Sequence, residues 1–408
     1  MPERSLSFCM VTTFYPPYHF GGDAMYVYRL SNALARGGHR VTVVHSVDAY
    51  RALSAESPEV GFPQQPGVEV VPLRSGIGSV SPLLTYLSGR PALTAAPLRK
   101  IFSAEDFDVV HFHNVSLVGG PGVLSYGSGV KCYTMNEHWL VCPMHVLWKN
   151  NREPCVDPSC FRCSLTFKRP PQLWRYTNLL ERQLENVDLF LSPSRFTVQA
   201  HHDRGFRRSI HHLPYFLPKG EGDGVPELES PKRPYFLYVG RLERLKGVET
   251  LIERFRDYRS ADLVIVGDGS QEPGLRRQAA GLDHVHFVGR ALPHALAGLY
   301  RDAIALIVPS VGFEVFGIVT LEAFAQRTPA IVRDLGALPE PVRESGGGYV
   351  YGTDGELLEA MESLRLDRAH RDELGARGHD AWLAKWSEAP HLDAYLRLIG
   401  TVEAIKAS

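Results

Sequence analysis

Two carboxylates, Glu314 and Glu322, stand with seven residues between them in the stretch PSVGFEVFGIVTLEAFAQRTP, from Pro309 to Pro329. The apolar run Ala303 to Val308 before them reads as a short buried strand that ends at Pro309-Ser310. From Gly317 onward Ile318, Leu321, Phe324 and Ala325 take up helical spacing. A helix starting there turns its free N–H groups and positive dipole end back on the loop, an environment that suits a phosphate. The two carboxylates cannot offset phosphate charge. They read instead as acceptors for hydroxyls, such as those on the ribose and hexose of a nucleotide sugar. Taken alone, the pair is explained more simply by a solvated loop Glu and an ordinary surface helix Glu.

Three further groups fit the same kind of ligand. After a strand expected over Tyr235 to Val239, the run GRLERLKG places Arg241 and Lys246 just before a helix near Val248. Two fixed cations there neutralise a diphosphate and stabilise it as a leaving group without recruiting Mg²⁺. In DFDVVHFHN, alternation puts His111 and His113 on one face at a strand's C-terminal end, where open α/β sheets hold ligands. An imidazole there serves a proton transfer or a hydrogen bond to a sugar hydroxyl; a structural pair is the competing reading. Gly21-Gly22 lies between a strand at Leu6 to Thr13 and an amphipathic stretch through Tyr26, Leu30, Ala33 and Leu34. Glycines in that position let backbone N–H groups approach a diphosphate, although glycines also merely turn chains.

The pattern Glu314, seven residues, Glu322, with Phe316-Gly317 inside it and Pro329 after, resembles the signature of family 4 glycosyltransferases. Gly21-Gly22, the His-x-His at 111–113, Gly240-Arg241-Leu242 with Lys246-Gly247, and Ser192-Pro193-Ser194 are similar to that family at matching places. The resemblance covers nearly the whole chain, most strongly from Tyr235 to Glu340. It implies a retaining transferase of the GT-B architecture, an α/β fold of two Rossmann-like doubly wound domains facing across a cleft. A C-terminal helix, expected from Leu392 to Ile405, would cross back to the first domain. Arg241, Lys246, Gly21 and Gly22 would then lie at the donor diphosphate, with Gly317 and Ile318 at the helix start and Phe316 beside them. Glu322 would bind ribose and Glu314 the transferred sugar. Gly289-Arg290 would border the base, and His113, with His111 as fallback, would sit where donor and acceptor meet. Ala337 and Arg327 depart from the family's glycines, which bears on donor preference more than on fold.

The segment NEHWLVCPMHVLWKNNREPCVDPSCFRC carries Cys142, Cys155, Cys160 and Cys163 within 22 residues. Four thiolates in a Pro-rich loop with few hydrophobes suit a tetrahedral structural Zn²⁺, with His138 and His145 as substitute ligands. Unligated buried cysteines and a redox or iron–sulfur site stay open beside it. No metal or other cofactor is expected at the transfer centre. From Lys149 to Arg208 eleven Lys/Arg face six Asp/Glu, with Trp148, Phe167, Trp174 and Tyr176 interleaved. Such a run steers an anionic acceptor, touches a membrane surface, or is a solvated face.

Length and composition set the frame. The 408 residues are 44% hydrophobic and 22% charged with formal net charge −1, a globular chain with no electrostatic case for nucleic acid. The N-terminal residues lack a signal peptide's apolar core, and no apolar run is long enough to span a bilayer. The expected place is the cytoplasm, with peripheral contact at the inner membrane face as an option. Residues 213–234 hold five prolines and three glycines and read as a linker. The expected division is 1–214 with a Cys-rich loop at 138–165, linker 215–234, a nucleotide-sugar domain 235–388, and the crossing helix 389–408. The function expected is transfer of a hexose-type sugar from a nucleoside diphosphate to a hydroxyl acceptor, a glycan, a lipid-linked glycan or a small molecule. A nucleotide-sugar epimerase, a glycoside phosphorylase and a non-catalytic sugar-nucleotide binder are the rivals.

Overall fold

The computed structural model describes residues 4–54, 58, 61–220, 227–292 and 295–407. The expected linker, 215–234, therefore lies partly outside the described residues.

The chain begins with β1 (Ser7–Val11), β2 (Arg40–Ser46), β3 (Val68–Leu73), β4 (Val109–Phe112) and β5 (Val130–Thr134). A small hairpin, β6 (Trp148–Lys149) and β7 (Glu153–Pro154), precedes β8 (Leu189–Ser192) and β9 (Ile210–His212). Seven of these form one sheet in the order β3-β2-β1-β4-β5-β8-β9, every neighbour parallel. The second sheet uses β10 (Tyr235–Val239), β11 (Asp262–Val266), β12 (Val285–Gly289), β13 (Ala305–Val308), β14 (Ala330–Arg333) and β15 (Gly348–Tyr351). Its order is β12-β11-β10-β13-β14-β15, again all parallel. Strands such as β1 (SFCMV), β11 (DLVIV) and β13 (ALIV) are buried along their length, which is why they read as apolar runs without alternation.

Each sheet reverses its winding beside its first strand, between β1 and β4 in one and between β10 and β13 in the other. The crevice beyond the strands' carboxyl ends at such a switch point is where open α/β sheets bind ligands. Register then separates the two histidines. His111 pairs with Met10 inside the sheet, whereas His113 follows the last residue of β4.

Several local expectations shift. The single helix expected over Leu173 to Leu184 is a 3-10 turn, Leu173–Tyr176, and a helix, Leu179–Leu184. Trp174 is turned inward, its indole N–H donating to the Tyr86 carbonyl at 2.9 Å. The Thr177 hydroxyl takes the Trp174 carbonyl at 2.7 Å, in competition with a helical ladder. Residues 48–100, without clear periodicity in the sequence, contain the end of a helix (Val47–Leu53), β3, and helices Val80–Ser88 and Ala95–Ala104.

The last helix starts at Glu388 and runs to Ala407, packing on β5, β8 and the helix Gly22–Arg36 of the first half. Arg36 grips Glu388 with two hydrogen bonds of 3.1 and 2.6 Å. His391 Nδ1 meets the Pro214 carbonyl at 2.8 Å, and Tyr395 Oη meets His111 Nδ1 at 2.7 Å. One continuous apolar cluster joins both sheets through Tyr215, Phe216, Leu217, Trp382 and Trp386.

Several histidines are buried as neutral imidazoles, His111 and His138 among them. Burial pushes His113 and His391 down to about 3, and His45 and His201 to about 4. A histidine whose folded value lies below its unfolded one contributes stability fully above pH ~6.5, lost as pH falls toward that folded value. At pH 5 each costs at most about 2 kcal/mol relative to neutral pH. The thermal midpoint is therefore expected to fall steeply between pH 7 and pH 5; a flat profile in calorimetry refutes buried neutral imidazoles.

Candidate active site

The second domain's half of the site is stitched from two loops at the β10/β13 switch point. Gly247 has φ +72 and caps the helix Val248–Phe255; a Cβ there would lie 2.2 Å from the Pro309 carbonyl oxygen. Val311 and Gly312 both donate their N–H to the Leu245 carbonyl at 2.9 Å. The loop after β10 is thus locked to the loop after β13. Across the join, Lys246 Nζ donates to Glu314 Oε1 at 2.5 Å, and Ser310 Oγ donates to the same oxygen at 2.8 Å. Burial works to raise the Glu314 carboxyl, but Lys246, Ser310 and Arg241 outweigh it and hold the group ionised, below its usual range. Arg241 is itself exposed.

The helix Ile318–Ala325 starts at Gly317, whose φ of +86 suits glycine. It faces the start of the first domain's helix Gly22–Arg36, where a Cβ on Gly22 would lie 3.4 Å from Ile318. Two helix N-termini therefore meet at Gly21-Gly22 and Gly317-Ile318. Glu322, a turn further on, is engaged from both sides. Tyr300 Oη donates to Oε2 at 2.8 Å, and Arg29 of the first domain lies 3.4 Å from Oε1. Phe316 is turned into the core, its ring 5.4 Å from that of Tyr215. Gly289 ends β12, with Arg290 exposed beyond it.

His111 and His113 part company. Both ring nitrogens of His111 are taken, by Tyr395 Oη and Thr134 Oγ1 at 2.7 Å each. His113 has one partner, Asn136 Nδ2, 3.2 Å from its Nδ1. Tyr215 Oη donates to Asn136 Oδ1 at 2.9 Å, so the amide must turn its N–H toward His113. His113 Nδ1 is then the acceptor and Nε2 carries the proton. That Nε2–H is buried without a partner among the described residues. Held neutral by burial, His113 offers a hydrogen bond to an incoming oxygen, not a base.

Around it lie groups the motif reading passed over. Asn114 Nδ2 contacts Glu137 at 3.2 Å and Asp23 at 3.5 Å, and His145 Nδ1 meets Glu137 Oε2 at 2.6 Å. Glu137 Oε1 is buried without a partner among the described residues. Its signal was available: Asn136-Glu137 follows β5 as His113 follows β4, at the same end of the same sheet.

Residues 20–217 match the family described as Glycosyltransferase Family 4, and residues 225–380 match Glycosyl transferases group 1. The two matches follow the order of the two sheets and take in most of the chain. The chain is a glycosyltransferase of the family 4 type. An uncharacterized glycosyltransferase of Methanocaldococcus jannaschii is 28% identical over 372 residues, 85% of each chain. Among solved structures, sucrose-phosphate synthase from Thermosynechococcus elongatus superposes with a TM-score of 0.73 at 20% identity, over 98% of this chain and 100% of that one. Anabaena HepE, solved in complex with UDP and glucose, gives 0.66 at 15% identity over 97% and 100%. The shared architecture is GT-B.

The glycosyltransferase's cysteine loop packs behind this cleft, its cluster of Cys142, Met144, Leu147 and Cys163 lying against Phe313, the neighbour of Glu314. Cys142, Cys155, Cys160 and Cys163 line one void that admits little more than a single water-sized sphere. Asn150 N–H points at Cys163 Sγ at 3.3 Å, and the Leu147 and Met144 amides bond to Cys142. No three His, Cys, Asp or Glu side chains among the described residues are grouped to hold a metal as they stand. A cavity of about 720 Å³ beside the loop is lined by Cys160, Arg175, Tyr176, Arg204 and Arg207, and by none of the cleft residues named above.

The Gly247 junction yields a paired test. Gly247→Ala is expected to lower stability by more than the ~1 kcal/mol of left-handed strain and to weaken nucleotide binding, because Lys246 must shift. Gly281→Ala, with φ +80 but open space around it, is expected to show the strain alone. Equal melting shifts for the two variants refute the locked join.

Proposed function

We propose that the enzyme moves a hexose-type sugar from a nucleoside diphosphate to an acceptor hydroxyl with retention at the anomeric carbon. The observation that carries this is the convergence of Arg241, Lys246 and ionised Glu314 with two helix N-termini at one junction. Cations and helix ends suit a diphosphate, and a fixed carboxylate suits sugar hydroxyls. HepE's complex with UDP and glucose supports a nucleotide-sugar donor on this architecture.

In the proposed reaction the bond from C1 to the phosphate oxygen breaks, and its electron pair passes to the diphosphate. Arg241, Lys246 and the N–H groups near Gly317 stabilise that charge. The acceptor oxygen bonds C1 on the same face, and its proton goes to the departing phosphate oxygen. His113 Nε2–H donates to a sugar oxygen, and Glu314 accepts from sugar hydroxyls. Glu322 takes the ribose at Oε1, where the 3.4 Å contact from Arg29 is the weaker of its two bonds. No side chain is asked to serve as a covalent nucleophile.

Thermal melts against UDP, GDP, ADP and dTDP sugars test the donor. At about 100 times its dissociation constant one donor is expected to stabilise by ~2.7 kcal/mol. Lys246→Ala is expected to lower kcat by about 10²–10³-fold, and Glu322→Ala to abolish the melting shift. Stabilisation by inorganic phosphate with free sugar, and by no nucleotide sugar, points to a phosphorylase instead.

For the cysteine loop we infer a structural metal. Four thiols around an atom-sized void, with N–H groups aimed at two of the sulfurs, suit a Zn²⁺ held by thiolates once the sulfurs draw inward. Burial keeps the free Cys142 thiol above its usual range, so binding would release protons. Elemental analysis is expected to find about one zinc per chain, lost in Cys160→Ser. Metal-free protein with unchanged melting sinks this reading.

A further inference from the structure

The helix Val80–Ser88 (VSPLLTYLS) is inside out for an element packed on its own domain. Ser81, Pro82, Thr85 and Tyr86 are its buried residues, while Val80, Leu83, Leu84 and Leu87 are between 39% and 47% exposed. A surface helix ordinarily turns such a stripe toward the core. The turn Leu173–Tyr176 adjoins it. Trp174 anchors that turn to the Tyr86 carbonyl, and the next residues of the helix's exit, at Gly89, back onto the Trp174 ring. Leu173 and Tyr176 are left 66% and 64% exposed on the outside. The two elements make one apolar face.

Charge marks the same face. In a chain of net charge −1, residues 70–104 carry Arg74, Arg90, Arg99 and Lys100 and no Asp or Glu. Residues 158–180 carry Arg162, Lys168, Arg169 and Arg175, and again no acid. All of these except Arg175 are exposed. Burial raises the Tyr86 hydroxyl while Arg169 and Arg175 oppose it, which sets the second stretch beside the first.

A protein partner would cover the leucines but has no need of an acid-free rim. A soluble polyanion would meet the cations and leave the leucines in water. An anionic bilayer takes both, apolar side chains at the acyl boundary and cations among lipid phosphates. None of the described helices is long and apolar enough to cross a membrane, so contact is from the surface. We propose that the face formed by Val80–Ser88 and Leu173–Tyr176 docks the enzyme on an anionic lipid bilayer.

Flotation of the full chain with vesicles tests this. The protein is expected to float with phosphatidylcholine containing about 30 mol% phosphatidylglycerol, to stay behind with phosphatidylcholine alone, and to release as salt rises. Leu83→Asp with Leu87→Asp is expected to abolish flotation while leaving the melt unchanged, since both side chains are already outside. Arg90→Gln and Arg99→Gln are each expected to weaken binding about fivefold. Equal flotation on neutral and anionic vesicles, or full flotation of the double leucine variant, overturns the proposal. So does a wild-type dimer in light scattering that the leucine variant splits while vesicles bind neither, because a second copy would then be the occupant.

Discussion

The ion pair between Lys246 and Glu314 is the contact on which the cleft depends. Both side chains are mostly withdrawn from water, at 19% and 16% exposure. A charge so placed is costly unless it is paired, and removing either partner leaves the other buried and alone. The pair therefore sets the spacing of two loops that the chain delivers separately, one after β10 and one after β13. Gly247 makes the close approach sterically feasible, since any side chain there would strike the Pro309 carbonyl. With the loops joined, Arg241 stands close enough to Glu314 to help hold it ionised, and the helix at Ile318 starts four residues beyond Glu314.

The two halves are held together by contacts of different kinds. Glu340, from the second domain, accepts the backbone N–H groups of Arg195 and Phe196 at 2.9 and 2.7 Å and so caps a helix of the first. Arg29 reaches across to Glu322, and the last helix lays Tyr395 and His391 into the first domain's core. Trp382 Nε1 donates to the Leu217 carbonyl at 3.1 Å, tying the end of the second domain to the segment that joins the halves. The apolar contacts lie toward the crossing helix, together with the ion pairs Arg36–Glu388 and Lys406–Asp188, whereas Arg29–Glu322 lies at the cleft. On the proposed reading Glu322 serves both the ligand and the contact with Arg29.

Much of this was legible because it is local. The strand Tyr235–Val239 and the helix starts at Val248 and Ile318 follow from short apolar runs broken by glycine. The cations of GRLERLKG and the carboxylates of the Glu-Glu stretch are also local features, and the fold brings Lys246 and Glu314 together. Alternation placed His111 and His113 on one face. It could not say that one lies within the sheet's register and the other just past it, and that difference leaves one imidazole fully bonded and the other with a free N–H. Trp174 defeated the helix expected around it for a similar reason, since its partner, Tyr86, is 88 residues away.

By itself the sequence determined most of the strands, the parallel sheets and the kinds of chemical group available, because these rest on periodicity and on side chains within a few residues of one another. Tertiary structure alone decided the partners: Lys246 with Glu314 across 68 residues, His111 with Tyr395 across 284, Arg29 with Glu322 across 293. It also decided which face of Val80–Ser88 looks outward, against the helix's own apolar pattern. The physical reason is common to all of these. A side chain's ionisation, tautomer and exposure are set by what the fold packs against it, and distance along the chain carries no record of that packing.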